Sequence, residues 1–237
     1  MRIVAPLRVE ALAVGGTRIG MRARRVPPGD RLVLAGVAGA VVPGLAPGDI
    51  VVADRVVFAP SPPAGTGAAR SASASPAGSP AASPAGNPAG NPAGSPEPAA
   101  GAADVVLPGA ADLAKALRIA GLTVHLGPVG GADEVVTGPA RAAWADRGAI
   151  AVDMESGVLA RTGRLAAVVR AIVDTPTHPL VSLGTLPRGS RALRALRRAA
   201  PVLSAWAAGQ GDADVRERQA VHVVDITITL PGEVENS

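Results

Sequence analysis

The sequence predicts an α/β fold in which helices cover both faces of a central β-sheet. Apolar runs rich in β-branched residues alternate along the chain with segments of helical spacing, a pattern typical of sheets that are buried on both faces. Hydrophobic residues make up 48% of the 237 residues, which is enough for a substantial core. One long segment rich in Pro, Ala, Gly and Ser interrupts the pattern, and we expect it to lie outside that core.

Two apolar runs before the interruption predict buried strands at residues 31–36 and 49–54. Each run follows closely on a Pro-Gly pair, which is a common turn signal. The roughly 50 residues before the interruption are too few for a separate α/β domain. We therefore predict one domain, formed by residues 1–59 and 104–208 and interrupted by an insertion.

The insertion comprises residues 60–103. Within it a four-residue unit recurs over residues 75–94 as SPAG, SPAA, SPAG, NPAG and NPAG. A proline at every fourth position prevents regular backbone hydrogen bonding, and the small side chains bury too little surface to offset the entropy of ordering. The segment is therefore predicted to be disordered and partly polyproline II.

Downstream of the insertion, helices and strands are predicted in alternation. The spacing of Leu113, Leu117 and Ile119 marks the first helix. The predicted helices are residues 110–121, 139–147, 155–162 and 190–208, and the predicted strands are residues 122–126, 149–153 and 166–174. Residues 209–237 form a tail, in which residues 219–230 have strand propensity and could add an edge strand or fray.

Composition excludes several classes of chemistry. The chain has no cysteine, so it can form no disulfide, thiolate metal site or cysteine nucleophile. The three histidines have no ligand spacing, so we predict neither a metal site nor a cofactor. Phe58, Trp144 and Trp206 are the only aromatic residues, too few for a platform that stacks bases. The formal charge is only +4 and Lys115 is the sole lysine, so no nucleic-acid partner is predicted.

The expected location is the cytoplasm. Arg8 and Glu10 interrupt the apolar N-terminal stretch, and no run approaches the length of a membrane span. The last predicted helix carries a basic stripe, for which a solvated face is one explanation and peripheral contact with an acidic membrane surface is another. The stripe consists of Arg188, Arg191, Arg194, Arg197 and Arg198.

The most informative stretch for function is AVDMESGVLA at residues 151–160. A buried strand leads directly into Asp153, Met154 and Glu155, which places two carboxylates at the end of a strand where α/β sheets bind ligands. A glutamate there can accept both hydrogens of a ribose diol, and a methionine can pack on the sugar. The alternative is that Asp153 only caps the next helix and Glu155 only interacts with its dipole.

This stretch resembles the signature of the nucleoside phosphorylase and nucleosidase superfamily, which includes methylthioadenosine/adenosylhomocysteine nucleosidases. Three other stretches fit the family in the right order. They are APLRVE (5–10), LAGVAGAV (34–41) followed by PGDIVVAD (47–54), and VVRAIVD (168–174). The resemblance implies a three-layer α/β/α sandwich around a mixed central sheet. It also implies a homo-oligomer that binds a small-molecule nucleoside.

The closest resemblance is to the hopanoid-associated subgroup, whose proposed substrate is adenosylhopane, cleaved to release adenine. It rests on MRIVAPLRVEALAV (1–14), LTVHLGP (122–128) and GAIAVDMESGVLA (148–160). The implied reaction is cleavage of the N-glycosidic bond of a purine nucleoside of adenosine type, with a possible alkyl group at the 5′ position.

The resemblance implies a role for each candidate site residue. Asp174 would stay protonated and donate to N7 of the purine, and Glu10 would orient or deprotonate the attacking water. The ribose would be held by Met154, Glu155 and Asp153. The base would be contacted by Ala38, Gly39 and Val136.

Two departures from the family pattern change what is expected. Leu34 and Val37 stand where phosphorylases place an arginine and a serine that hold phosphate, which favours hydrolysis over phosphorolysis. A helix between the first strands of the family is missing after Gly20. The alternative interpretation is therefore that the chain is a catalytically impaired relative, which binds nucleosides or serves as a scaffold.

Overall fold

The computed structural model describes residues 1–58, 103–176 and 185–226, with side chains described up to residue 176 and from 189 to 210. Met1–Ala59 and Ala103–Ser237 belong to one compact unit, so the two flanks of the predicted insertion fold together. Residues 60–102 of the insertion lie outside the described residues. The disorder of the insertion stays a prediction.

Strands and helices alternate along the described part of the chain. The strands are β1 (Arg2–Ala5), β2 (Thr17–Arg18), β3 (Leu32–Ala40), β4 (Ile50–Phe58), β5 (Val105–Val106), β6 (Val124–Gly131), β7 (Ala151–Asp153) and β8 (Leu165–Asp174). The helices are α1 (Arg8–Val14), α2 (Ala110–Ile119), α3 (Ala140–Asp146), α4 (Ser156–Ala160) and α5 (Thr185–Ile226), with a 3₁₀ turn at Met21–Ala23.

The central sheet is mixed and closes on itself. Its strand order is β2-β1-β3-β7-β6-β4-β5, and β8 pairs with both β3 and β4. Strand β8 runs parallel to β3 and antiparallel to β4, and β3 and β7 are antiparallel. Strands β3, β7, β6, β4 and β8 therefore form a ring. The predicted α/β class with a mixed central sheet is confirmed.

Two clusters of buried side chains hold the helices to the sheet. The larger cluster joins α1, α2 and α5 to strands β3, β4, β6 and β8, with Leu113, Leu117 and Leu196 fully buried in it. The smaller one places Trp144 of α3 against Val152. Leu, Val and Ala supply most of both clusters, as expected of a chain with three aromatic residues.

Helix α4 approaches β6 so closely that a side chain at Gly131 has no room. A Cβ added to Gly131 would lie 2.4 Å from the Cα atom of Gly157, which is a backbone atom that cannot rotate away. This contact brings the start of α4, and with it Glu155, against the ring of strands.

Two expectations from the sequence are corrected. The strand expected at residues 31–36 is longer, because β3 continues through the glycine-rich stretch to Ala40, with a register shift between Ala38 and Gly39. Residues 219–226, for which the sequence predicts either an edge strand or fraying, are the end of helix α5. Ala, Arg, Glu and Gln dominate residues 213–220 and favour helix, and a glycine inside a helix costs only about 1 kcal/mol, so Gly209 and Gly211 do not end it.

The connection between β1 and β3 has an unusual backbone. It contains only helix α1, the short strand β2 and the 3₁₀ turn, so no second helix lies there. Arg22 and Ala23 have φ values of 56° and 49°, in the left-handed region that non-glycine residues rarely adopt. We call residues 17–25 the arginine segment because Arg18, Arg22, Arg24 and Arg25 lie in it.

Candidate active site

One cavity of about 410 Å³ lies against the ring and collects the residues that the sequence singled out. All eight candidate residues line it, although they come from α1, β3, β7, β8 and loops between them. They are Glu10, Ala38, Gly39, Val136, Asp153, Met154, Glu155 and Asp174. The roles assigned to them stay predictions, whereas their placement in one cavity is a property of the fold.

Glu10 reaches the cavity from helix α1 and is almost fully buried. Its Oε2 atom accepts a hydrogen bond of 2.7 Å from the backbone N–H of Leu7, which closes the first turn of the helix. Its Oε1 atom accepts one of 2.9 Å from the N–H of Val37 in β3. The two bonds fix the carboxylate and tie the helix to the ring.

Asp153 acts as a cap and as an ion-pair partner. Its Oδ1 atom accepts hydrogen bonds from the backbone N–H groups of Glu155 and Ser156, at 2.9 and 2.7 Å, which satisfies the start of α4. Its Oδ2 atom lies 2.6 Å from Nε of Arg170 and also contacts the Ser156 hydroxyl. The capping role weighed at the sequence level is therefore present, together with an ion pair that the sequence analysis did not include.

Glu155 is buried next to the same arginine. Nη2 of Arg170 lies 3.3 Å from Oε2 of Glu155, and the N–H of Arg22 donates to Oε1 at 3.0 Å. Burial raises the pKa of Glu155 above its ordinary value, although the Arg170 guanidinium acts in the opposite direction. The arginine segment thus contacts the candidate ribose-binding carboxylate through its backbone.

Arg170 lies at the centre of this group and is fully buried in β8. Burial disfavours its charge, yet Asp153, Glu155 and Glu10 favour it more strongly, so its pKa is raised above its ordinary value. Its Nη1 atom has no hydrogen-bond partner among the described residues. A Cβ added to Gly36 would lie 2.4 Å from that Nη1 and 3.2 Å from Oε1 of Glu10, so only glycine leaves room here.

The other end of the cavity is formed by Asp174 and Arg141. Nη2 of Arg141, on helix α3, contacts Oδ2 of Asp174, and its Nη1 donates to the carbonyl of Ala40 at 2.6 Å. Both side chains are buried. A Cβ on Gly39 would lie 2.8 Å from Oδ1 of Asp174, so β3 passes directly beside this carboxylate. Arg141 lies 33 residues before Asp174 and was not singled out from the sequence.

Apolar side chains form the walls between these two charged ends. Leu7, Val135, Val136 and Met154 are among them. Such walls suit a flat, mostly apolar ring system whose polar edge meets a few fixed groups. Within the described residues, no group of three or more His, Asp and Glu side chains is arranged to hold a metal ion. His125 pairs with Asp49 at 2.9 Å and does not line the cavity.

Comparison of the sequence with known families gives a match, which covers most of the strands and helices described above. Residues 29–198 match the family described as the phosphorylase superfamily. The chain belongs to the phosphorylase superfamily. The matched region contains β3, β7 and β8, which carry the candidate residues of the cavity, whereas Glu10 lies before it. No curated protein matches the sequence significantly.

Solved structures share the superfamily fold at low sequence identity. The methylthioadenosine/adenosylhomocysteine nucleosidase of S. pneumoniae is 20% identical, with a TM-score of 0.51 over 85% of this chain and 95% of its own. The futalosine hydrolase of Helicobacter pylori is 16% identical, with a TM-score of 0.56 over 85% of this chain and 94% of its own. The corresponding nucleosidase of H. pylori is 15% identical, with a TM-score of 0.56 over 86% of this chain and 95% of its own. These similarities concern the fold.

Proposed function

We propose that this chain hydrolyses the N-glycosidic bond of a purine nucleoside of adenosine type and releases the base. The observation that carries the proposal is the convergence of Glu10, Glu155 and Asp174, from three separate elements, on one cavity of nucleoside size. Membership in the phosphorylase superfamily supports it, as do the structural neighbours, which are named as methylthioadenosine/adenosylhomocysteine nucleosidases and a futalosine hydrolase.

The two charged ends of the cavity suit the two ends of the reacting bond. Cleavage of an N-riboside gives the sugar oxocarbenium character and leaves negative charge on the departing base. Asp174 forms an ion pair with Arg141 in this structure, so the proton that it would give to the base would be taken up when the nucleoside binds. The Arg141 guanidinium would add positive charge where the base becomes negative. Glu10, Asp153 and Glu155 place negative charge near the sugar.

The nucleophilic water would be held by Glu10, which lines the cavity. Each Glu10 oxygen accepts one backbone hydrogen bond, which leaves lone pairs to which a water in the cavity would donate. Arg170 does not line the cavity and its Nη1 atom fills the space beside Gly36, so this guanidinium would not contact the water. The three carboxylates of this end outnumber its one arginine, which disfavours a phosphate dianion and therefore favours water.

Glu155 and Met154 would hold the ribose. The Glu155 carboxylate uses one lone pair of each oxygen for Arg22 and Arg170, which leaves lone pairs for the two hydroxyls of a ribose diol. Met154 lines the cavity beside it and offers an apolar surface to the sugar.

The proposal is tested by measuring base release from adenosine, methylthioadenosine and a 5′-alkylated adenosine, each with and without phosphate. We expect adenine and a free sugar, at rates that phosphate does not change. Formation of a sugar 1-phosphate would replace hydrolysis by phosphorolysis. Release from none of the three, by protein that binds them, would favour the second candidate function.

That second candidate is a catalytically impaired relative that binds nucleosides. The observation favouring it is the short connection between β1 and β3, in which a 3₁₀ turn is the only helical element after α1. Specificity for adenosylhopane and membership in the hopanoid-associated subgroup stay predictions of the sequence resemblance. Homo-oligomerisation, cytoplasmic location and peripheral membrane contact also stay predictions. Among the described residues, no helix is long and apolar enough to span a membrane.

A further inference from the structure

A second cavity, of about 780 Å³, adjoins the candidate active site and is lined by arginines. Its walls include Arg18, Arg22, Arg24 and Arg25, all from the arginine segment. Four other residues line both cavities, so the two share a wall. They are Leu7, Met21, Val135 and Met154.

The charge of this second cavity is uncompensated within the described part of the chain. No carboxylate is among its lining residues, and none of the four arginines forms an ion pair with a described Asp or Glu. Arg141 and Arg170, by contrast, are each paired to a carboxylate. Several guanidinium groups around one space are suited to bind a phosphate or a carboxylate through paired hydrogen bonds.

The arginine segment is held in place relative to the candidate ribose site. The N–H of Arg22 donates to Oε1 of Glu155, and the N–H of Ile19 donates to the carbonyl of Ala5 at 2.9 Å. The backbone of Arg22 lies in the left-handed region, which a residue with a side chain rarely adopts. Strained backbone of this kind is concentrated at ligand-binding sites.

The positions of the lining residues along the two cavities indicate which part of a ligand would lie beside each of them. Asp174 and Arg141 line only the first cavity, Met154 lines both, and Arg24 and Arg25 line only the second. A nucleoside with its base at Asp174 and its diol at Glu155 has its 5′ carbon as the remaining point of extension. We propose that the second cavity binds an anionic group, phosphoryl or carboxylate, which the nucleoside carries at its 5′ position. This inference rests on the proposed function.

The experiment compares the dissociation constants of adenosine and adenosine 5′-monophosphate by titration calorimetry. We expect the monophosphate to bind the parent protein at least about tenfold more tightly, because charge-assisted bonds to arginine contribute more than 1.4 kcal/mol. The double variant Arg24→Gln/Arg25→Gln should lose most of that ratio. The control Arg194→Gln/Arg197→Gln removes the same charge from exposed positions on α5 and should keep the ratio.

Equal affinities in the parent, or no binding of either ligand, would overturn the inference. So would an acceleration of adenosine cleavage by inorganic phosphate that disappears in Arg24→Gln/Arg25→Gln, since the cavity would then hold a free anion. Tight monophosphate binding without release of adenine from any nucleoside would instead remove the proposed hydrolysis and leave the anion site intact. A 5′-alkylated adenosine that binds more tightly than the monophosphate would also contradict the inference.

Discussion

The two groups of arginines in this protein are built in opposite ways. Arg141 and Arg170 are buried and pair with carboxylates, Arg141 with Asp174 and Arg170 with Asp153 and Glu155. Together with Glu10, which accepts a hydrogen bond from Val37 of the ring, these residues form the buried network. In the arginine segment the four arginine side chains are exposed and form no ion pair with a described Asp or Glu, and backbone hydrogen bonds hold the segment in place. The buried network suits a reaction whose catalytic groups must stay fixed. The arginine segment suits recognition of a substituent that the substrate carries.

Removing the central arginine of the buried network should have the largest effect. Arg170→Met leaves Asp153 and Glu155 buried without their cation, and breaking a buried pair in this way costs about 3–5 kcal/mol of unfolding free energy. Urea denaturation measures it. Arg197→Met, at an exposed position on α5, should change stability by less than about 0.5 kcal/mol. Similar midpoints for the two variants would show that the network is not a stabilising unit.

Asp174→Asn should reduce base release by at least about a hundredfold while the fold persists. Asparagine keeps the shape of the side chain beside Gly39 and Arg141 but has no carboxyl proton to transfer. Single-turnover adenine release at several pH values, with circular dichroism as the folding check, measures the effect. Asp133→Asn, at an exposed position outside the cavity lining, is the matched control and should retain the parent rate. Equal rates for both variants would assign Asp174 a purely structural role.

Glu155→Gln should weaken adenosine binding by about tenfold or more, because a charged acceptor for the ribose diol is replaced by an amide. Calorimetric titration of adenosine at neutral pH measures the loss. Unchanged affinity would place the ribose elsewhere in the cavity.

The same variant also gives a pH signature. The pKa of Glu155 is raised by burial above 4.5, so the folded protein binds a proton more tightly than the unfolded chain does. The contribution of Glu155 to stability is therefore full below pH 4.5 and is lost as the pH rises through its folded pKa. The stability of the parent relative to Glu155→Gln should fall over that interval, as measured by urea midpoints across a pH series. An increase would contradict the raised pKa.

The smallest effect is expected in the arginine segment. Arg22→Gly removes a side chain from a left-handed position and should raise the unfolding free energy by no more than about 1 kcal/mol. The same change should weaken binding of adenosine 5′-monophosphate, so stability and anion affinity should move in opposite directions. Thermal melts and calorimetry of one preparation check both. A clear loss of stability would mean that the Arg22 side chain packs in a way that its exposure does not show.

Much of the buried network could be predicted because its signals are local. Asp153 and Glu155 follow an apolar strand, and Asp174 ends another, so their positions at the strand ends can be derived from the alternation of elements. Arg170 also has a local signal in the sequence. A single charged residue inside the apolar run of residues 165–173 implies a buried partner of opposite charge.

The remaining features depend on contacts that are distant in sequence. Arg141 has no local mark that connects it with Asp174, because only the packing of α3 beside the end of β8 brings the two together. The continuation of β3 through Gly36 and Gly39 depends on pairing with β8, since glycine by itself favours a turn. The left-handed conformation of Arg22 could not be derived from arginine propensity, and its bond to Glu155 joins residues 133 positions apart.

The closure of the five-strand ring affects the tendency of the native protein to aggregate. Of the strands described, only β2 and β5 lie at the ends of the sheet order, and each is two residues long. Long exposed edges are templates for addition of foreign strands, and very short edges offer few unpaired backbone groups for it. The ring should therefore resist edge-to-edge aggregation in its native state. In hydrogen exchange, amides of β3 and β8 should be among the slowest, opening only with the whole fold.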